Sequence, residues 1–228
     1  MEEIFFMSTY KQQVLSKLAQ KRQLTRWDGY LCIADLHGGA YECDHVSPYT
    51  KSASNMDADV MLVLQDWASS EYFERHDGVI SDLVELGYDS SVDTNNNLKR
   101  LLKTHLNLDL QDTYATNLMP FIKQGGMSAS IPMKVLVNAA TEFALPQVKI
   151  VQPKIVICFG LQAFNAMRRA CSEQQVNNID DAINSYFTYE LSTVFCQAHP
   201  GRLGQNNRNR GGVDRVSIDW KKMVEYLD

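Results

Sequence analysis

Four short apolar segments, spaced along the chain, constrain its fold more than any other feature of the sequence. They are "DVMLVLQ" (59–65), "TYATNLM" (113–119), "KIVICFG" (154–160) and "STVFCQ" (192–197). Strands covered on both faces have such unbroken apolar runs, whereas strands with one wet face alternate apolar and polar residues. Segments with helical periodicity lie between them. The pattern predicts an α/β protein with a three-layer α/β/α architecture around a central four-stranded parallel sheet.

The segments between the predicted strands have the apolar spacing of amphipathic helices. In "NNNLKRLLKTHLN" (95–107), for example, four leucines lie on one helical stripe. The same kind of pattern predicts helices over 9–22, 70–86, 132–145, 161–170 and 219–227. Residues 27–57 are irregular and rich in turn formers. We therefore expect residues 1–56 to be an N-terminal helix and irregular extension packed on the core, and residues 57–228 to be the main domain.

The composition indicates where the protein works. No part of the chain reaches the roughly 18 apolar residues that a membrane-spanning helix needs. "EIFFM" (3–7) is too short for a signal-peptide core and lacks a basic flank. The five cysteines are odd in number and scattered, which favours free thiols in a reducing compartment. We expect a cytoplasmic, monomeric protein that does not bind membranes.

The charges are unevenly distributed along the chain. The net charge of −5 argues against a generally basic nucleic-acid-binding protein. Residues 199–222, however, hold six basic side chains and only two acidic ones, and residues 11–26 form a second basic stretch. Two interpretations stay open: a polar surface with uneven charge, or a surface that contacts a polyanion.

Polar residues stand at the predicted carboxyl ends of the strands, where open parallel sheets bind their ligands. The four ends hold Gln65-Asp66-Trp67, Asn117, Gly160 and His199-Pro200. The last strand runs into "CQAHPGRLGQNNRNRGG" (196–212), which is polar and too rich in glycine for a helix. We expect this segment to be a loop that contacts something charged.

In this order, the strand ends resemble the uracil-DNA glycosylase superfamily from about residue 57 to the C-terminus. "VLQDWA" (63–68) resembles the GQDPY motif, and "ATNLMPF" (115–121) resembles the segment whose asparagine reads the base. "EFALPQVKIVQPKIVICFGLQAF" (142–164) is similar to a segment of the iron–sulfur branch of the superfamily, and "HPGRL" (199–203) to the HPSPL loop. Residues 57–228 would then be a glycosylase-like catalytic domain.

The resemblance implies a DNA glycosylase, which flips a nucleotide out of the DNA and hydrolyses its N-glycosidic bond to leave an abasic site. Asp66 matches the catalytic aspartate, which would orient water and stabilise positive charge on the sugar. His199 matches the catalytic histidine, which would stabilise negative charge on the departing base. From the residues alone, Asp66 could instead cap a helix and His199 could be a structural loop residue.

The resemblance also implies which residues bind the base. Asn117 offers a donor and an acceptor to a pyrimidine edge, although it could instead satisfy backbone groups at a strand end. A flipped base is also held by aromatic stacking, for which Phe73 is the preferred candidate. Gln65, Trp67 and Ala68 belong to the matched motif and would complete the pocket. Further aromatic candidates are Tyr72 and Phe121.

The segment after His199 would contact DNA. Gly201 and Gly204 would allow the backbone to approach a phosphate, and Leu203 would fill the gap that the flipped nucleotide leaves. Arg202, Arg208 and Arg210 would contact phosphates, which makes binding sensitive to salt.

Departures from the family motifs refine the expected activity. The Pro-Tyr of GQDPY, whose tyrosine excludes groups at C5 of the pyrimidine, is Trp67-Ala68 here. This change suggests a pyrimidine that is bulky at C5, and a role in defence against bacteriophages with modified cytosines. The chain has no C-x-x-C pair, so no iron–sulfur cluster is expected, and no other cofactor is implied. No lysine lies in the matched motifs to form a Schiff base, so we expect a monofunctional enzyme.

Other functions remain open at this point. A plain uracil repair enzyme and a non-catalytic DNA-binding module on the same fold are the alternatives. A small-molecule α/β hydrolase is disfavoured because the chain has no G-x-S-x-G motif. Cysteine and histidine are also zinc ligands, and one irregular segment of the chain holds a cluster of four such residues. Their spacing is uncommon for a zinc site. The alternative interpretation is that this segment is an insertion that covers the pocket mouth. The cluster comprises Cys32, His37, Cys43 and His45. We expect no bound metal.

Overall fold

The computed structural model describes the backbone of residues 2–227 and the side chains of residues 9–227. The strands in this range are β1 (Tyr30–Leu31), β2 (Val60–Asp66), β3 (Tyr114–Met119), β4 (Ile122–Lys123), β5 (Ile155–Phe159), β6 (Tyr186–Tyr189) and β7 (Ser192–Gln197). The helices are α1 (Glu2–Leu24), α2 (Ser70–Glu74), α3 (Ser81–Glu85), α4 (Asp93–Leu106), α5 (Met133–Ala139), α6 (Leu145–Val151), α7 (Leu161–Ala170), α8 (Ile179–Ile183), α9 (Arg202–Arg208) and α10 (Arg215–Lys221).

The central sheet has the order β3-β2-β5-β7-β6. Its first four strands are parallel, as the four apolar segments predict. The fifth strand, β6, pairs antiparallel with β7 at the edge of the sheet. Strand β6 was not predicted because only Phe187 among its four residues is buried, which leaves no apolar run to recognise. The α/β architecture is confirmed, with five strands instead of four.

Helices cover both faces of the sheet because every second strand residue points to the same side. On one face, β2 packs Val60, Leu62 and Leu64 against helices α4 and α10. On the other face, Met61 and Val63 join the core formed with α5, α6 and α7. Burial of apolar side chains on both faces accounts for the three layers that the strand composition predicts.

Residues 1–56 contact the core at several points. Helix α1 packs against α6, and β1 pairs antiparallel with β4 in a separate two-stranded sheet. The short helix Pro48–Ser52 lies beside β3, where the Thr50 hydroxyl donates to the Ala115 carbonyl at 2.7 Å. The division of the chain at residue 56 stays a prediction, but the extension contributes residues directly beside the carboxyl ends of the strands.

Several local expectations need correction. Residues 196–212 are not all loop, because Arg202–Arg208 form helix α9. Residues 70–86 contain two short helices, α2 and α3, instead of one. The helix predicted over 132–145 continues through a π turn at Ala140–Ala144 into α6. The glycine content that argued against α9 has a packing role, described below.

Candidate active site

A cavity of about 600 Å³ opens at the carboxyl ends of the parallel strands. This is the position where open parallel sheets bind ligands, and the volume is within the range of small-molecule sites. Gly160, at the end of β5, lines it as expected. Six of the residues assigned to catalysis or base binding from the sequence also line it: Gln65, Asp66, Trp67, Ala68, Asn117 and His199.

Asp66 is the last residue of β2, and its side chain is only 9% exposed. Gln65 donates from Nε2 to Asp66 Oδ2 at 2.9 Å. Asp66 does not cap the following helix, because α2 begins at Ser70 and its N-cap is Ser69. The helix-capping alternative is therefore wrong, and the carboxylate belongs to the cavity wall.

Lys123 is a charged cavity residue that the sequence analysis missed. Its side chain is 5% exposed, and its Nζ lies 3.1 Å from Asp66 Oδ1. Nζ also donates to the Met127 carbonyl at 2.6 Å. Strand β4 positions Lys123 through its pairing with Tyr30 of β1. No sequence signal could have found this residue, because the partner strand is two residues long and comes from the irregular N-terminal extension.

His199 follows β7 and lines the mouth of the cavity. Its Nδ1 accepts a hydrogen bond from the Gly201 backbone N–H at 3.0 Å. His199 is exposed on one side, but the protein atoms around the ring desolvate it and lower its pKa; the charge of Asp66 opposes this shift, and that of Lys123 adds to it. A neutral ring whose Nδ1 is an acceptor carries its proton on Nε2. His199 therefore has an N–H available as a donor.

Asn117 lies within β3 and is 1% exposed, although it lines the cavity. Its Oδ1 accepts a hydrogen bond from the Ser47 hydroxyl at 2.6 Å. Ser47 was not expected in the site, because it belongs to the turn-rich N-terminal extension. The side chain of Asn117 is held by another side chain, so the alternative role of satisfying strand backbone is not the one observed.

The wall next to Asp66 is formed by Trp67 and Ala68. The indole N–H of Trp67 donates to the Gly87 carbonyl at 2.8 Å. Phe73 is 4% exposed and packs in a hydrophobic cluster with Trp67, at a ring separation of 5.6 Å. Phe73 is not among the cavity-lining residues, so its expected stacking role needs correction: it supports the wall from behind. Tyr72 lines the cavity instead.

A comparison of the sequence with known protein families identifies the family of this chain. The model of the uracil DNA glycosylase superfamily matches residues 55–223, about three quarters of the sequence. The chain belongs to the uracil-DNA glycosylase superfamily. No individual curated protein matches it. Membership supports a function of the DNA-glycosylase type, with DNA as the partner.

The surface expected to meet DNA in this superfamily member lies on and beside α9. Leu203 is 75% exposed, and Arg202 and Arg210 are also exposed. Arg208 differs, because its guanidinium binds the buried Asp219 at 2.6 Å and also contacts Asp180. The expected phosphate contact of Arg208 is therefore corrected: its charge is already compensated by two carboxylates.

The glycines of this segment make room for His199. A Cβ at Gly201 would lie 2.9 Å from His199 Nδ1, and one at Gly204 would lie 2.3 Å from the His199 carbonyl oxygen. Both distances are shorter than real Cβ contacts. Gly201 and Gly204 thus allow α9 to pack closely on the histidine, which is a different reason from the phosphate approach expected for Gly201.

The cysteine and histidine cluster of the extension is not assembled as a metal site. Within the described side chains, no group of three or more His, Cys, Asp or Glu residues could hold a metal ion. The Cys32 thiol donates to the Thr25 carbonyl at 3.5 Å, and Cys43 lies beside the buried Arg22. Burial raises the pKa of both thiols, which disfavours the thiolate that metal binding requires. These residues pack the extension instead.

No helix within residues 2–227 combines the length and the apolar character needed to cross a membrane.

Proposed function

We propose that this superfamily member is a monofunctional DNA glycosylase that flips a pyrimidine nucleotide into the cavity and hydrolyses its N-glycosidic bond, leaving an abasic site. The main support for the proposal is that one cavity is lined by Asp66, Asn117 and His199, which lie on or just after three different strands. Each of the three has the chemistry that its role requires. A flipped base is recognised by hydrogen bonds to its edge inside such a pocket.

Cleavage of the N-glycosidic bond develops positive charge on the sugar and negative charge on the base. The Asp66 carboxylate stabilises the sugar and orients the attacking water, since it faces the cavity from the end of β2. The neutral His199 donates a hydrogen bond from its Nε2–H to the departing base and keeps the proton. The lowered pKa of His199 favours this neutral form near pH 7.

The monofunctional assignment now rests on Lys123 as well as on the motifs. A lyase would need an unprotonated amine to attack C1′ of the abasic sugar. The Lys123 amine lies at the site, but it is paired with Asp66 at 3.1 Å and bound to the Met127 carbonyl. An ammonium group in this pair has no lone pair for attack. We therefore propose that Lys123 maintains the charge and position of Asp66 and forms no Schiff base.

The proposed substrate is a pyrimidine with a bulky group at C5. Ala68 replaces a blocking ring in the wall, and the cavity continues to Tyr72, Asp89 and Asn95. The volume of this open-sided cavity is about 600 Å³. A bare pyrimidine fills only part of such a space. Excision of modified phage cytosines in a reducing cytoplasm, by a monomer with free cysteines, is the biological role we propose.

We propose that α9 approaches the DNA. Leu203 would enter the gap left by the flipped nucleotide, while Arg202 and Arg210 contact phosphates near Gly201. The exposure of these three side chains supports the proposal.

A base-release assay tests the function. Matched duplexes would contain one uracil, thymine or 5-substituted cytosine, and freed bases would be identified by mass spectrometry. We expect release of the C5-substituted base, with no strand nicking until alkali is added. Asp66→Asn and His199→Ala should abolish most release while DNA binding, measured by fluorescence anisotropy, is retained.

The alternatives give different outcomes in the same assay. Release of uracil alone would indicate a plain uracil repair enzyme and would contradict the proposed pocket for a bulky group at C5. DNA binding without release of any base would assign a non-catalytic module. Strand nicking without alkali, or trapping of the protein on DNA by borohydride, would contradict the monofunctional assignment.

A further inference from the structure

Ser47 lies outside the region that the family model matches, yet it contacts the proposed base-reading residue. Its hydroxyl donates to Asn117 Oδ1 at 2.6 Å, and neither residue is more than 1% exposed. A hydrogen bond this well shielded from water restricts the amide to one position. The contact therefore bears on what Asn117 can present to a ligand.

The single proton of the Ser47 hydroxyl decides which atom of the amide faces it. The Ser47 oxygen accepts from the Tyr49 backbone N–H at 3.2 Å, as the N-cap of the helix Pro48–Ser52. Its proton goes to Asn117 Oδ1. If the amide were inverted, its NH₂ group would face the Ser47 oxygen, and the buried serine proton would lose this acceptor. Such an unsatisfied buried group costs about 1–3 kcal/mol.

The segment that carries Ser47 is itself held firmly on the sheet. Thr50 donates to the Ala115 carbonyl of β3 at 2.7 Å. The backbone of Pro48 lies so close to Gly87 that a Cβ there would be 1.8 Å from the Pro48 oxygen. Ser47 is thus a fixed group, and it can impose its hydrogen-bond direction on Asn117.

With Oδ1 held by Ser47, the amide nitrogen of Asn117 is the donor that remains for a ligand. Within the described residues Nδ2 makes no hydrogen bond, and Asn117 lines the cavity. An NH₂ group can only donate, so it pairs with an acceptor and opposes another donor. Uracil-type and cytosine-type pyrimidines carry opposite donor and acceptor orders at N3 and C4. A fixed amide is complementary to one order and not to the other.

We propose that Ser47 is a specificity-determining residue: by fixing the amide of Asn117, it makes the cavity distinguish 4-keto from 4-amino pyrimidines. The inference rests on the proposed function, because it deepens the recognition of the base in the same site. Removing the Ser47 hydroxyl would free the amide to rotate and to pair with either order. Selectivity would fall while the catalytic groups stay in place.

The test compares two duplexes whose target bases share one C5 substituent but carry either a 4-keto or a 4-amino group. The ratio of their kcat/KM values is measured for the wild-type protein, Ser47→Ala, Ser47→Thr and Ser52→Ala. Ser52→Ala is the matched control, since it removes from the same short helix a hydroxyl that donates to the Leu86 carbonyl and not to Asn117. The ratio of the Kd values is measured in parallel in an Asp66→Asn background.

Wild type should prefer one duplex, and Ser47→Ala should reduce the ratio about tenfold, the value of one lost hydrogen bond. Ser47→Thr, which keeps the hydroxyl, should preserve the wild-type ratio, and Ser52→Ala should leave it unchanged. A ratio that is the same in wild type and Ser47→Ala would overturn the inference, as would an equal effect of Ser52→Ala. If wild type releases neither base, the proposed function fails, and the Kd ratio alone decides the role of Ser47.

Discussion

Replacing Lys123 by methionine tests the ion pair at the centre of the site. Methionine keeps an unbranched apolar stem but removes the ammonium that lies 3.1 Å from Asp66 Oδ1. The exposed fractions of the two side chains are 5% for Lys123 and 9% for Asp66, so little water reaches the pair. Asp66 would keep its hydrogen bond from Gln65. The variant leaves a carboxylate in the cavity wall with little compensation.

The magnitude follows from this burial. Removing one partner of a buried ion pair costs about 3–5 kcal/mol, since the other charge stays behind unpaired. The pair of Lys103 and Asp109 provides the control, because its charged atoms are also 3.1 Å apart while its side chains are 56% and 57% exposed. Such a surface pair contributes about 0–1 kcal/mol. Lys103→Met should therefore cost several kcal/mol less than Lys123→Met.

The assay is urea-induced unfolding at pH 7, monitored by tryptophan fluorescence, of both single variants, of Asp66→Asn and of the double variant Asp66→Asn/Lys123→Met. The double variant should lose less stability than the sum of its two single variants, because no unpaired charge remains in it. The reasoning is refuted if Lys123→Met destabilises the protein no more than Lys103→Met.

The remaining predictions concern His199 and its surroundings. In an NMR titration, His199 should change charge at a pH below the usual histidine value of about 6.5, because desolvation disfavours the imidazolium. Base release should therefore persist below about pH 6.5 and fall on further acidification. A titration midpoint at or above about 6.5 would contradict this prediction. Gly204→Ala places a Cβ 2.3 Å from the His199 carbonyl oxygen, so it should lower the rate of base release about 100-fold while DNA binding persists; an unchanged rate would refute the packing role. Arg202→Ala should reduce the slope of log Kd for DNA against log salt by about 1. Arg208→Ala should leave this slope unchanged and destabilise the fold, because the buried Asp219 would keep Lys222 but lose the guanidinium that binds it most closely. The opposite assignment of slopes would show that Arg208 contacts phosphate.

The residues on the parallel strands and at their ends could be located from the sequence. Unbroken apolar runs identify strands that are buried on both faces, and the ends of such strands converge at one edge of a sheet. Asp66, Asn117 and His199 follow from that rule, and the cavity does contain all three. The edge strand β6 was missed because one buried residue produces no detectable pattern.

The short sequence patterns also misjudged some polar and aromatic side chains. Arg208 reads as a free cation in the sequence, but the fold brings Asp219 to it from a different helix. Phe73 reads as a stacking residue, but it packs behind Trp67 in the core. Local sequence carries no information about which distant partner satisfies a charge or covers a ring.

The sequence by itself determined the α/β class, the order of the parallel strands along the chain and the chemical groups at their ends, because burial on two faces leaves a periodic trace in neighbouring residues. Only the tertiary structure decided that Lys123 neutralises Asp66 and that Ser47 holds Asn117. Both partners enter the site through non-local contacts, Ser47 from 70 residues earlier in the chain than Asn117. Hydrogen bonds and ion pairs between such distant residues depend on positions in space, which no local spacing of residue types encodes.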